Sequence, residues 1–472
     1  MKPFGRPRRG LPAKGCVPCV SRLIPPGEWR AWRVSMRGKI NGMPVLVLLT
    51  VMTASAREPS GPPEPQQVEP PAMSEMPMPV PLSKLLEEAE QRNPQIQAAR
   101  RGWQAASQVP SQVSTLPDPQ VTFQQFAVGS PRPFAGFTNS DFAYVGVGVS
   151  QEFPYPGKLR LRGEIAARDV AGAEEQVESV RRSVIAQLKA AYFSLAYHLK
   201  VLEVLDKDGR LLDQIETISE ARYRVGQGNQ QDVLKAQLQK TSLLKDIEMH
   251  HEEHYRLEAQ LKQILDRPAD SPDLMPVGLL ETPFTSSFDA LRAEVGRRNP
   301  ELRGQQEMVR RQGLEVDLAR KDFYPDFNAQ YMWQHTAAQF RDYYMLTFGV
   351  SLPIHWRRKQ EPALAEASAE LSRSRRLYEA QAQQIYFDLR DQYLAAETAG
   401  RVLKIYREGL IPQATATFDA GLAAYQTGRE DFETLLSSFL DVLNLDIEYW
   451  RTLAEHETAL ARIEQLAGNT TH

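Results

Sequence analysis

Few side chains in this sequence are spaced for chemistry, and the best placed are the imidazoles of His250-His251-Glu252-Glu253-His254. His250 and His254 stand one helical turn apart, a spacing that lets two imidazoles reach one transition-metal ion. The order is not H-E-x-x-H, however, and both residues continue the apolar series Ile247, Leu257, Leu261 and Ile264. That pattern reads as polar positions in a helix seam, with His198 in a similar seam position, and no metal site is expected. Gly157-Lys158 has the look of a phosphate loop, but Glu152 occupies the place of the first glycine and Leu159 that of Ser or Thr. Cys16 and Cys19 are spaced C-x-x-C, yet they precede an export signal and read as accidental. With no nucleophile elbow and no cofactor fingerprint, the sequence predicts no enzyme and no cofactor.

The export signal is the run Met43 to Thr53, preceded by Arg37 and Lys39 and followed by Ala54-Ser55-Ala56. It has a basic flank, a short apolar core and a small-residue cleavage site, and it is too short to span a bilayer comfortably. Met36 suits this signal as a start, so residues 1–56 read as an over-extended start plus signal peptide. Ten basic residues and one acidic residue lie there, leaving 46 basic against 58 acidic residues, a net of −12, in the remainder. A nucleic-acid role is disfavoured by that balance. Hydrophobic residues make up 42% and charged residues 24% of the 472, which is too polar for a bundle of membrane-spanning helices.

Residues 57–81 are so rich in proline that neither helix nor sheet ladder is expected before about Leu82. From there the chain is written twice. Arg92-Asn93-Pro94 answers Arg298-Asn299-Pro300, Pro117-Asp118 answers Pro325-Asp326, and Gly148-Val149-Ser150 answers Gly349-Val350-Ser351. Tyr223-x-x-Gly226 likewise answers Tyr425-x-x-Gly428. Offsets close to two hundred keep the elements in one order, so residues 82–285 and 286–472 read as two structural repeats.

Each repeat predicts a helix, two strands and two very long helices. Phe327, Ala329, Tyr331 and Trp333 alternate with Asn328, Gln330, Met332 and Gln334, and Tyr344, Leu346, Phe348, Val350 and Leu352 alternate with Met345, Thr347, Gly349 and Ser351. In the first repeat Val145, Val147 and Val149 alternate with Gly146, Gly148 and Ser150, while Val121 to Gly129 is less regular. Such alternation suits a membrane barrel or a soluble sandwich equally. The helices separate the two. From about Lys158 to Arg224 and Lys359 to Tyr425 the only prolines are Pro362, near the start of the second stretch, and Pro412, and Val184, Leu188, Ala191, Leu195, Leu202 and Leu205 recur at heptad spacing. A rod of that length measures roughly 100 Å, longer than a globular domain accommodates. Return helices after Gly226-Gln227-Gly228 and Gly428-Arg429-Glu430 would complete two antiparallel coiled-coil hairpins.

Four strands cannot close a barrel, and open edges are not tolerated in lipid, so the barrel must be shared between copies. Two copies give a filled interior; three give twelve strands and room for a lumen. The expected fold is therefore mainly α with a small β part: helical hairpins forming an α-barrel, joined to a trimeric 12-stranded β-barrel in the outer membrane.

Here the chain resembles the TolC family of outer-membrane factors over about Leu82 to Leu466. The family's tip pattern stands as Tyr223, Val225 and Gly226 followed by Asp232, Val233 and Leu234. The passage Gln151-Glu152-Phe153-Pro154-Tyr155-Pro156-Gly157-Lys158-Leu159 looks like that of the heavy-metal efflux branch, the CzcC and CusC type. The resemblance implies a homotrimeric, passive export conduit with a periplasmic extension. It also implies a periplasmic adaptor docked on the tips and an inner-membrane pump, of the RND type, as the energy source. Arg224, Val225, Gly226, Thr427 and Gly428 would then be adaptor contacts, unless backbone geometry alone selects them. The family's aperture aspartates are replaced by Thr434 and Ser437, leaving Asp232, Glu430, Asp431 and Glu433 as aperture candidates or as helix-start carboxylates. A type I protein-secretion duct and a pore-free periplasmic coiled-coil scaffold are the alternative readings.

Overall fold

A computed structural model describes residues 79–127, 143–336 and 341–468. The export signal, both cysteines, most of the proline-rich leader and Gly129 lie outside these residues. The first half contains β1 (Pro79–Val80), α1 (Leu82–Arg92), α2 (Pro94–Ala106), α3 (Val109–Ser114), β2 (Gln120–Phe126), β3 (Tyr144–Phe153), α4 (Lys158–Arg224) and α5 (Gln230–Ile264). The second contains β4 (Met275–Pro276), α6 (Phe288–Arg298), α7 (Pro300–Lys321), β5 (Asp326–Thr336), β6 (Tyr343–Ser351), α8 (Gln360–Ile405), α9 (Ile411–Gln426) and α10 (Phe432–Ala467).

Three features depart from the sequence reading. The tail of the proline-rich leader does pair: β1 lies parallel to β4, joining the two halves through two residues each. A ladder this short tolerates Pro79 because few amide donors are required of it. Second, the Asn-Pro motifs divide the opening helix of each half instead of lying within it, since a proline ring and its missing N–H fit only the first turn of a new helix. Asn93 Oδ1 accepts from the amides of Gln95 (2.9 Å) and Ile96 (3.2 Å), and its Nδ2 donates to the Ile264 carbonyl at 2.8 Å. Asn299 repeats the device, capping the Leu302 amide (3.1 Å) and donating to the Leu466 carbonyl (3.1 Å). In both halves one buried asparagine thus starts a helix and ties it to the end of the return helix. Third, a π-helical turn, Tyr406–Leu410, interrupts the second rod just before Pro412. Proline cannot satisfy the carbonyl four residues back, and a widened turn accommodates the mismatch.

The first rod is unbroken: α4 runs for 67 residues, about 100 Å. Its expected stripe is buried at Val184, Leu188, Ala191, Leu195 and Leu205, but passes through Val201, with Leu202 only half-buried. α4 packs on α5, α7 and α10, and α10 also packs on α8 and α9. The core is a chain of seam clusters: Leu188 and Leu195 midway along α4 with Leu261 near the end of α5, then Leu212, Ile215, Leu435 and Phe439 toward the turns.

A polar group also occupies the seam. Asp208 on α4 is only 2% exposed, and one of its carboxylate oxygens has no hydrogen-bond partner. Burial pushes its pKa up to about 6, offset in part by Lys207 and reinforced by Asp446, whose own carboxyl burial also raises. The ionised form therefore costs stability above about pH 6, and the cost fades as pH falls through that value. Asp208→Asn is expected to raise the thermal midpoint at pH 7.5 and to give a clearly smaller gain at pH 5, because the cost disappears only as pH falls toward the free-carboxylate value near 4. Equal gains at both pH values in thermal scans would exclude this account.

The sheet is antiparallel throughout, in the order β2-β3-β5-β6. Register aligns Val121, Val149, Tyr331 and Leu346 in one row, and Thr122, Gly148, Met332 and Met345 in the next. Successive rows face opposite sides of the sheet. On the apolar side Val121, Phe123, Val149, Tyr331, Leu346 and Phe348 are all exposed, with Phe348 at 74%. On the other, Met332 is buried, and Gly148 leaves room for it: a Cβ there would come within 3.2 Å of the Met332 methyl.

Candidate functional site at the hairpin tips

Both rods end in basic or neutral final turns and reverse through a glycine. Gly226 and Gly428 have φ of +72° and +76°, the left-handed region in which a Cβ is penalised. At the first tip the amides of Gly226 and Gln227 donate to the carbonyls of Tyr223 (3.0 Å) and Arg222 (2.9 Å). At the second, Gly428 and Arg429 donate to Tyr425 (3.1 Å) and Ala424 (2.9 Å). These matched bonds satisfy the last helical carbonyls, so backbone geometry alone accounts for both glycines.

The structure brings the two tips together. The Arg222 guanidinium donates to the carbonyl of Tyr425 on the other hairpin and to that of Gln227 at 3.1 Å, and lies 4.5 Å over the Tyr425 ring. Tyr425 is buried and its hydroxyl donates to Ser219 Oγ at 3.2 Å. Lys235 Nζ reaches Glu433 at 2.8 Å, a second link between hairpins. Between the tips lies an open concavity of about 790 Å³, bordered by Asn229, Asp232, Arg429 and Asp431.

Outside this cross-link stand the expected contact residues. Val225 is 70% exposed and Arg224 pairs with Glu220 of its own helix at 3.4 Å; Tyr223 and Leu234 nearby are exposed as well. Thr427 is exposed and its hydroxyl donates back to the Ala424 carbonyl at 3.0 Å. Of the acids, Asp232 accepts the Asn229 amide at 3.4 Å and Asp431 accepts the Thr434 amide at 2.8 Å. Bonds from Thr434 hold the Asp431 carboxyl below the usual carboxylate range. Both thus serve as helix-start carboxylates. Glu433 pairs with Lys235, and Glu430 sits half-buried beside them. The sequence reading missed Arg222 and Lys235; the repeated Tyr223 and Tyr425 were legible, but that only Tyr425 is buried is visible in the structure alone.

The histidine motif is rearranged relative to its spacing. His250 meets His198 of α4, not His254, with the two Nδ1 atoms 2.8 Å apart, so the seam reading holds for this pair. His254 Nε2 instead faces Glu258 Oε2 at 3.9 Å. Among the described residues no three His, Cys, Asp or Glu side chains are grouped to hold a metal ion. Lys158 of the phosphate-loop look-alike is buried against Asp322 (3.1 Å) and Asp326 (3.0 Å), its ammonium already committed.

Comparison with known structures yields channels of one architecture. The outer-membrane channel OprN superposes with a TM-score of 0.71 at 17% identity, covering 82% of this chain and 90% of its own. CusC gives 0.71 at 14% identity, covering 82% and 92%. The outer membrane protein VceC of Vibrio cholerae gives 0.69 at 16%, covering 83% and 97%. Curated proteins give no sequence match. The family model for outer membrane efflux proteins matches residues 85–266 and 291–469, one match in each half of the duplication. The chain therefore belongs to the outer membrane efflux protein family, whose members are channels of the outer membrane with a periplasmic extension.

Proposed function

We propose that three copies of this chain assemble into the outer-membrane duct of a tripartite efflux system, a passive conduit for a small solute. The observation that carries this reading is the sheet: among the described residues it has an apolar face without protein cover, a polar and glycine-rich opposite face, and two open edges at β2 and β6. Lipid against the first face, water against the second and neighbouring copies at the edges satisfy all three demands. Energy comes from partners, a periplasmic adaptor seated on the tips and an inner-membrane pump of the RND type. The cargo reading is a heavy-metal cation or a drug; CusC supports the former only by likeness of fold, which it shares with OprN at an equal TM-score.

Adaptor docking rests on Arg224, Val225, Gly226, Thr427 and Gly428, which stand exposed around a tip already held rigid by Arg222 and Tyr425. Gly226 has open space around its missing side chain. Gly226→Trp is therefore expected to cost only about 1–2 kcal/mol of local backbone strain, leaving the trimer intact, while a bulky ring on the docking face abolishes resistance. Export assays beside native-gel sizing check this, and unchanged resistance would remove the adaptor from this tip.

A further inference from the structure

The feature that a conduit leaves unused is the imidazole pair midway along the first hairpin. We propose that His198 and His250 form a bidentate site for a divalent transition-metal cation of the imidazole-binding class, one that braces α4 against α5. Each neutral imidazole carries a single N–H, so two Nδ1 atoms at 2.8 Å either share one proton in a hydrogen bond or, with both protons on Nε2, hold two lone pairs close enough for one cation to accept both. The second arrangement is a chelate without its ion. With metal–nitrogen bonds of about 2.0–2.1 Å, two nitrogens on one cation lie roughly 2.9 Å apart at a right angle and about 3.3 Å apart in a tetrahedron. The rings thus need to part by only a few tenths of an ångström.

Several surroundings favour ligation. The rings come from different helices, so no helix must unwind to bring them together. Tyr197 packs edge-on against both, at 4.8 Å and 6.3 Å between centroids, fixing their orientation. Both histidines are half-buried, which leaves the remaining coordination positions open to water. Desolvation and the neighbouring His250 lower the His198 pKa to about 4, so its lone pair is free at neutral pH. Glu253 acts electrostatically on both rings and Asp246 on His250, each carboxylate being itself paired, with Arg256 and Lys245 respectively. His254 is not part of it, being directed at Glu258.

His198 lies 26 residues before the end of α4, about 40 Å from the tip. A cation there would cross-link the hairpin at mid-length and stabilise the fold by mass action. Affinity should follow the usual order for nitrogen sites, with Cu²⁺ above Ni²⁺ and Zn²⁺. The proposal is independent of the efflux reading, because its test does not measure export.

The test uses the full chain, purified without an affinity tag and titrated with CuCl₂ or ZnCl₂ at pH 7.5. The thermal midpoint is expected to rise by several degrees, with no rise in His198→Gln or His250→Gln and an undiminished rise in His251→Gln and His254→Gln. Electron paramagnetic resonance of the Cu²⁺-loaded wild type should show coupling to two imidazole nitrogens, a readout that stands even if the variants fail to fold. A rise that survives in His198→Gln or His250→Gln, or a spectrum without two coupled nitrogens, would overturn the assignment.

Discussion

Phe348→Arg is expected to deplete the folded protein from the outer membrane by one to two orders of magnitude, although Phe348 touches little of its own chain. Phe348 lies near the middle of β6 and is 74% exposed. On a soluble surface such a substitution changes stability by about 0.5 kcal/mol or less. On a lipid-facing strand, arginine near the bilayer midplane costs about 2–4 kcal/mol. Thr347→Arg supplies the control, since the adjacent residue faces the opposite side of the sheet, where water fills the proposed lumen. Membrane fractionation with heat-modifiability gels reads both. Equal amounts of folded protein in the two variants would mean that the apolar face meets protein or water instead of lipid.

Loss of Lys189 is expected to weaken the helical part markedly. Its side chain is 4% exposed and pairs with Glu464, itself 9% exposed, joining α4 to the last helix of the second half. Lys189→Ala takes a buried charged hydrogen-bond donor away from that carboxylate, a cost of about 1.5–3 kcal/mol. Replacing both partners with apolar residues, Lys189→Met with Glu464→Leu, removes both buried charges and should recover most of the loss. Thermal and denaturant unfolding of the three proteins decides it; a double variant as unstable as the single one would show that the pair contributes more than mutual neutralisation.

Local rules acting at single positions made much of this fold legible in the sequence. Gly157 before Lys158 and Gly226 after Arg224 bracketed α4 correctly, because left-handed glycines punctuate helices regardless of tertiary context. Alternation in β5 and β6 placed Phe327 through Trp333 and Tyr344 through Val350 on one face, which the register reproduces. The same alternation was silent on what covers that face, since lipid and a second protein layer impose the same period. Contacts between distant segments were not legible. His250 pairs 52 residues upstream rather than four downstream, and Arg222 reaches across 203 residues to Tyr425. Such choices depend on how helices are rotated about their axes, and a one-dimensional pattern constrains that rotation only loosely. The tip acids show the same limit: their types fitted an aperture and helix starts alike, and only the structure shows Asp232 and Asp431 bonded at helix starts.

That rotation is where the two halves part company. The segments before, within and after the π turn contain 46, 5 and 16 residues, together as many as the 67 of α4. A π turn consumes one residue more than an α turn, and one residue corresponds to about 100° around a helix. The second rod thus matches the first in reach but not in azimuth, like a cog slipped by one tooth. Duplication created interchangeable halves, and this slip ended the exchange: any ring built from both hairpins must alternate two unlike seams, with half the rotational symmetry its outline suggests.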